Sequence, residues 1–169
     1  MRILYVASDQ TLPGSTGGSV HVHEVSRELS RRGHDVHAVV WDRGGNDGPG
    51  EGYSVHRIRW SPPHRFFRFR ARPRVAALID RIKPDVLMER YYNFGGEGIL
   101  AAADASVPSL LEVNSPVVDH PGSAKALLDA ALITRPMRSY RERLARSASA
   151  LISPLREIVP EFARGKTHV

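Results

Sequence analysis

Short apolar runs alternate with amphipathic helical stretches along the whole chain, and few architectures accept that pattern. Arg2 to Ala7 (RILYVA) reads as a fully buried strand. Behind it Val20, Val22, Val25 and Leu29 make a helical stripe that Gly33 can terminate in a left-handed cap, and Asp35 to Trp41 (DVHAVVW) is the second strand. A glycine-rich loop, RGGNDGPGEG, leads to an extended segment from Tyr53 to Trp60. The spacing then predicts a helix from about Pro73 to Ile82 that ends before Pro84, a short buried strand at Asp85–Met88, a helix over Asn93–Ala103 and a strand at Ser109–Val113. A helical pattern from about Ala124 to Ser147, broken or kinked at Pro136, precedes a short strand at Ala150–Ile152 and a helix over Leu155–Ala163 interrupted at Pro160. Strands alternating with helices predict an α/β fold, a Rossmann-like doubly wound parallel sheet sandwiched by helices.

The 169 residues show no internal repeat and no linker, which suits one domain with a core of ordinary size. The absence of cysteine excludes a disulfide scaffold, a thiolate zinc site and a cysteine nucleophile. No apolar run approaches the roughly 18 residues of a membrane span. MRILYVA is too short for a signal peptide, because Ser8, Asp9 and Gln10 follow at once. These features read as a cytoplasmic protein. The net charge of +6 is local: between His56 and Arg74 stand seven arginines and no acid, which weakens a reading as a general nucleic-acid coat.

The first crossing carries the most chemistry. A long polar loop from Ser8 to Thr16 runs into Gly17-Gly18-Ser19 at a helix start, where free N–H groups favour a phosphate. The alternative is that the two glycines only relieve a tight helix entry. No G-x-G-x-x-G occurs at this turn. Three other patterns are set aside: Gly165-Lys166-Thr167 has Pro160 where a P-loop needs glycine, His23-Glu24 lacks the second histidine of a zinc protease motif, and His21 and His23 fall on different helix faces, against a shared metal.

Ligands of open α/β sheets lie beyond the carboxyl ends of the strands, so the residues just past each strand are the site candidates. These are Asp9, Pro13, Gly17 and Gly18 after the first strand, Glu89, Arg90 and Tyr91 after the fourth, and Asn114, Ser115, Pro116 and His120 after the fifth. Arg90 either holds a carboxylate or phosphate bidentately or forms an ion pair with Glu89 or Glu112.

GGSVHVHEVSRELSRRGHDVHAVV resembles the opening of the retaining glycosyltransferases of family four, in which a double glycine, an amphipathic helix and R-G-H-[DE]-V precede the second strand. KPDVLMERYYNFGGEG, VPSLLEVNSP and ARSASALISPLREI are similar to later segments of the same family, in order and spacing. The resemblance implies a GT-B fold, in which residues 1–169 form the Rossmann-like acceptor-side domain and a C-terminal donor-binding domain lies outside this chain. It also implies transfer of a sugar from a nucleotide-diphosphate-sugar donor to a glycan, lipid-linked or small-molecule acceptor, with retention and with little activity in this half alone.

The resemblance places Gly17, Gly18 and Ser19 at the donor diphosphate, and Asp9, Arg90, Tyr91, Arg65 and Arg68 toward the acceptor. Many members carry a histidine where this chain has Asn114. Asn114 can donate to a sugar hydroxyl but cannot act as a base, so His120 is expected to be the only nearby imidazole able to supply one. Retaining transfer in the family is described as front-face attack, with the leaving diphosphate helping to take the acceptor's proton. No metal and no cofactor are implied.

His64-Arg65-Phe66-Phe67-Arg68-Phe69-Arg70 interleaves aromatics with arginines without a clean helical stripe. It reads as an acceptor loop, as a peripheral contact of Arg65 to Arg74 with the anionic inner face of a membrane, or as a solvated loop; nucleic acid is the weakest option. Two rival functions from other classes stand beside the transferase: a Rossmann-like dinucleotide-binding module, and a basic adaptor for membrane or nucleic acid.

Overall fold

The computed structural model describes residues 1–42, 48–49, 51–59, 68–91, 95–114 and 135–169. The first apolar run becomes β1 (Arg2–Ala7), and every residue of it after Arg2 is buried. Side chains of a strand point alternately to its two faces, and both faces here are covered. Leu4 and Val6 pack with Val39, Val75, Leu87 and Leu144, whereas Ile3, Tyr5 and Ala7 pack with Val22, Val36, Ala38 and Met88.

The remaining elements are α1 (Gly17–Arg31), β2 (Asp35–Trp41), β3 (Gly48–Pro49), β4 (Ser54–Ile58), α2 (Arg72–Ile82), β5 (Val86–Arg90), α3 (Glu97–Asp104), β6 (Ser109–Glu112), α4 (Arg135–Ser147), β7 (Ala150–Ile152) and β8 (Thr167–His168). They build an eight-stranded sheet in the order β3-β4-β2-β1-β5-β6-β7-β8. All neighbours run parallel except β3 and β4. The chain thus winds outward from β1 through β2 and β4, returns to place β5 beside β1, and winds out the other way. The doubly wound α/β sandwich expected from the sequence is the observed fold, and its topological switch lies between β1 and β5, where a crevice opens at the carboxyl ends.

Most expected elements form where the periodicity puts them. Gly33, at φ 85°, ends α1 with its N–H on Ser30 O at 2.9 Å, the left-handed cap that the sequence suggested. Lys83 takes the same left-handed role at φ 54°, stopping α2 before Pro84. Val20, however, is 48% exposed; the buried stripe of α1 runs through Val22 and Ser26. The helix expected from Asn93 begins at Glu97, because Gly96 sits at φ 107° and breaks the helical path before it.

Pro136 stands in the first turn of α4, where its missing N–H has no helical partner to lose. The expected helical pattern before it, residues 124–134, lies outside the described residues. The expected last helix does not form. Pro160 separates two short 3₁₀ turns, Arg156–Ile158 and Glu161–Lys166, after which β8 joins the sheet edge. The glycine-rich loop also contributes a strand, β3, that periodicity could not show in a segment of two residues.

Candidate functional site

The carboxyl ends of β1 and β5 deliver Asp9 and Arg90 to the crevice. Arg90 Nη1 donates to Asp9 Oδ2 at 2.7 Å, with the side chains 17% and 6% exposed, and the Gln10 amide donates to the same oxygen. The ion partner of Arg90 is therefore Asp9, in place of the Glu89 or Glu112 that the sequence offered. Arg90 Nε has no hydrogen-bond partner among the described residues. Tyr91 packs in the core beside the crevice.

Glu89, one residue earlier, leaves the opposite face of β5. Its carboxylate accepts the Gly96 N–H at 2.6 Å and the Ile99 N–H at 2.7 Å, so it lies under the first turn of α3. Beside it Arg68 Nη2 donates to Glu97 Oε1 at 3.0 Å and Arg68 Nε to Ser8 Oγ at 3.2 Å, while Ser8 donates to Glu97. Glu89, Glu97 and Arg68 are all buried. Burial, then the charge of Glu97, pushes the Glu89 carboxyl up to about 8 against the pull of Arg68 and of the two backbone N–H groups. Burial disfavours the charge on Arg68, but Glu97, Asp9 and Glu89 outweigh it and hold the guanidinium above its ordinary range. Sequence reasoning placed Arg68 toward an acceptor. In the fold its head group is turned inward, because two buried carboxyls need a cation more than the surface does.

A third group lies on the α1 side of the sheet. Glu112, at the end of β6, accepts the Tyr5 hydroxyl at 2.5 Å on one oxygen. Its other oxygen accepts Asn114 Nδ2 at 2.6 Å and His21 Nε2. Burial, followed by the charge of Glu112, raises Tyr5 far above its ordinary value, so the phenol stays protonated and donates. His21 keeps a side chain 40% exposed, and no hydrogen bond reaches its Nδ1 among the described residues.

The head of α1 completes the crevice. Thr16 caps the helix by accepting the Ser19 N–H at 3.2 Å, and its carbonyl takes the Val20 N–H at 2.9 Å. Ser19 is buried and its N–H is engaged, whereas the N–H groups of Gly17 and Gly18 take no partner among the described residues. A Cβ on Gly18 would meet Gln10 Oε1 at 2.4 Å, while one on Gly17 would meet nothing within 4 Å. The first turn thus offers open amides and a positive dipole end to an anion.

The family model for glycosyltransferase family 4 matches residues 15–166, from this helix head to the last 3₁₀ turn. The chain belongs to that family. No curated protein sequence matches it significantly. Among solved structures it is similar to sucrose-phosphate synthase from Thermosynechococcus elongatus (TM-score 0.64, 14% identity, 89% of this chain and 41% of that one). MurG of Acinetobacter baumannii gives TM-score 0.59 at 16% identity over 94% of this chain and 43% of that one. The UDP-GlcNAc 2-epimerase of Methanocaldococcus jannaschii gives 0.58 at 12% identity over 100% and 45%. At such identities the likeness is one of fold, and the chain spans less than half the length of each of the three.

In this family 4 domain the fold brings Asp9, Arg90, Asn114, Gly17 and Gly18 to the carboxyl ends of β1, β5 and β6 and the adjoining head of α1. His120, Arg65, Ser115 and Pro116 lie outside the described residues. The expectation that His120 would be the only imidazole near Asn114 is not met, since His21 shares an oxygen of Glu112 with it. His21 and His23 do face apart: His23 Nδ1 meets the Tyr53 hydroxyl at 2.7 Å, toward β4. Among the described residues no cluster of three or more His, Asp or Glu side chains could hold a metal.

The arginine-rich stretch is largely tied to the chain. Arg57 donates to Leu12 O at 2.7 Å, Arg59 to Asp42 at 3.1 Å and Arg72 Nε to Asp104 at 2.8 Å, and Arg74 donates to Arg59 O. No helix among the described residues is long and apolar enough to cross a membrane. A separate concavity of about 630 Å³ opens on the β4 side of α1, lined by residues that include Leu12, Pro13, Val20, His23 and Tyr53.

The sequence reading gave no site role to Glu97, Thr16 or Gln10, and offered Glu112 only as an ion partner for Arg90. Two of them had a readable signal: Glu112 ends the buried run SLLE and Glu97 opens the apolar helix EGILAAA, and a buried carboxyl demands donors from elsewhere in the fold.

Proposed function

We propose that this domain is the acceptor-side half of a retaining glycosyltransferase that moves a sugar from a nucleoside-diphosphate donor to a hydroxyl-bearing acceptor. Family membership sets the reaction class. The observation that carries the assignment of sides is the pair of open amides at Gly17 and Gly18, which face the same carboxyl-end crevice as Arg90 and Asn114.

In this reading the head of α1 approaches the donor diphosphate and stabilises the charge that develops on it as the glycosidic bond to phosphate breaks. Asp9 holds Arg90 in place, and together they bind hydroxyls or an anion of the acceptor. Asn114 donates to a sugar hydroxyl. The concavity beside α1 has room for the body of a larger acceptor. The described part of the Arg65 to Arg74 stretch engages Arg68, Arg72 and Arg74 within the chain, so membrane contact has no part in the proposal.

Transfer requires a donor-binding partner domain. The test is an assay of nucleotide-sugar consumption with a panel of sugar, lipid-linked and small-molecule acceptors. The full-length polypeptide carrying this domain is expected to transfer, and residues 1–169 alone are not. Turnover by the 169 residues alone would overturn the division of labour.

A further inference from the structure

We infer that the concavity between α1 and β4 is a subsite for an uncharged apolar ring system, the body of an acceptor whose hydroxyl reaches the crevice past residues 12–14, and that Glu24 and Glu51 at its mouth turn anionic bodies away. The inference rests on the transferase reading above and names the chemical class that its acceptor side takes.

The lining sets the chemistry. Its volume of about 630 Å³ is that of a site for a drug-sized ligand. Leu12, Tyr53 and Val55 are each 6% exposed, whereas Val20, on the flank of α1 that lines the opening, is 48% exposed. Val20 adjoins this apolar lining, so an apolar ring laid against it removes a continuous surface from water. The polar groups are largely engaged with one another. The Tyr53 hydroxyl meets His23 Nδ1 at 2.7 Å with the rings edge to face, and Arg57 donates to Leu12 O at 2.7 Å. Glu24 and Glu51 share Arg27, at 2.5 and 3.7 Å, with side chains 50% and 70% exposed. Two carboxylates against one guanidinium leave the mouth negative in a chain whose net charge is +6. The Tyr53 phenol registers that sign: burial, then the charges of Glu51 and Glu24, raise it above its ordinary value.

Continuity with the crevice decides the occupant. Leu12 lies three residues beyond Asp9, so the chain separates them by at most about 11 Å. On α1, Val20 stands three residues beyond Gly17, about 4.5 Å along the axis and on the same side of the helix. One molecule of ordinary acceptor size therefore reaches from the Asp9–Arg90 pair and the open amides into the concavity. A ring body seated against Val20 and Tyr53 leaves its hydroxyl toward the crevice, with residues 12–14 as the ledge between. The bond from Arg57 to Leu12 O ties that ledge to β4, so the wall stands ready before the acceptor arrives.

The probe is tryptophol, an uncharged aromatic alcohol, titrated into the full-length polypeptide with methyl-labelled valine; Val20→Ser and Val55→Ala assign the resonances. Shifts at the Val20 and Val55 methyls are expected, saturating near about 1 mM. Val20→Asp is expected to weaken binding about 10-fold or more, and Val20→Trp, which fills the opening, to do the same; the half-exposed position leaves the core intact. Indoleacetate, the same ring with a carboxylate, is expected to bind about 10-fold more weakly, and Glu24→Gln with Glu51→Gln to narrow that gap to about threefold. In transfer assays Val20→Asp is expected to raise the KM of ring-bearing alcohols about 10-fold relative to that of a simple sugar. No methyl shift, or equal affinity for indoleacetate, overturns the inference while leaving the transferase reading intact. So does methyl broadening that grows with protein concentration and ignores the probe, which would place a second copy on this face. Probe binding with transfer to sugars alone removes the acceptor role. Probe binding with no transfer to any acceptor overturns the transferase reading, and the acceptor role with it.

Discussion

Glu89 and Arg90 are neighbours in β5 and leave it in opposite directions, the carboxylate under the first turn of α3 and the guanidinium across the crevice to Asp9. A single strand end therefore supplies one group to the foundation and one to the opening. The alternation of side chains along a strand produces this division, and each half makes its own prediction.

Arg90 is expected to matter more for binding than for folding. Arg90→Lys keeps a charge near Asp9 but loses the fork that can engage Asp9 and an acceptor together. Its acceptor KM should rise about 10- to 100-fold, the range for a hydrogen bond to a charged group, with the urea midpoint close to wild type. An unchanged KM would remove Arg90 from the acceptor side.

Glu89 gives the fold a pH dependence whose sign is fixed. Below its ordinary value of 4.5 the folded and unfolded chains both hold the proton; between 4.5 and about 8 only the folded chain does. The contribution of this group to stability is therefore greatest in acid and falls as pH rises through that window, by up to about 1.4 kcal/mol per unit, then levels off. Glu89→Gln should flatten this component in denaturation curves taken from pH 5 to pH 9. A slope identical to wild type would show that the carboxyl ionises normally.

The doubly wound order was legible in the sequence because buried strands such as Arg2–Ala7 announce themselves as continuous apolar runs. The candidate crevice followed from the general rule about strand ends, which located Asp9, Arg90 and Asn114. Their partners were not legible. Glu97 and Arg68 are 29 residues apart, and His21 and Glu112 are 91 apart, so no local spacing encodes either pairing. The last 3₁₀ turns were misread for a different reason: Leu155 to Ala163 has helical composition, but Pro160 removes a donor in its middle and the chain needs to extend into β8.

Arg68→Met tests the buried cluster. Removing the cation leaves Glu97 without its ion partner in a dry site, and breaking such a pair typically costs about 3–5 kcal/mol. The double variant Arg68→Met with Glu97→Gln should recover a large part of that loss in equilibrium unfolding. A single variant within about 1 kcal/mol of wild type would mean that the two groups are solvated in the folded protein.

Two of the left-handed residues, Gly96 and Lys83, should respond in opposite ways. A Cβ at Gly96 would meet Leu144 Cδ2 at 2.3 Å and the Tyr140 hydroxyl at 2.9 Å, at a φ of 107°. Gly96→Ala should therefore destabilise by about 2 kcal/mol or more. Lys83 holds φ 54° with a side chain, so Lys83→Gly should stabilise by about 0.5–1 kcal/mol in the same unfolding assay.

The two histidines of α1 brace the helix from both flanks, His21 against Glu112 on β6 and His23 against Tyr53 beside β4. A helix tethered on one side can roll about its axis, each residue's worth of roll swinging its head by about 100° of azimuth. Tethered on two sides it cannot roll either way without parting one imidazole from its partner. The bearing of the Gly17 and Gly18 amides is thus set by side chains a turn away from them, and the helix points its positive end in one direction before any ligand arrives.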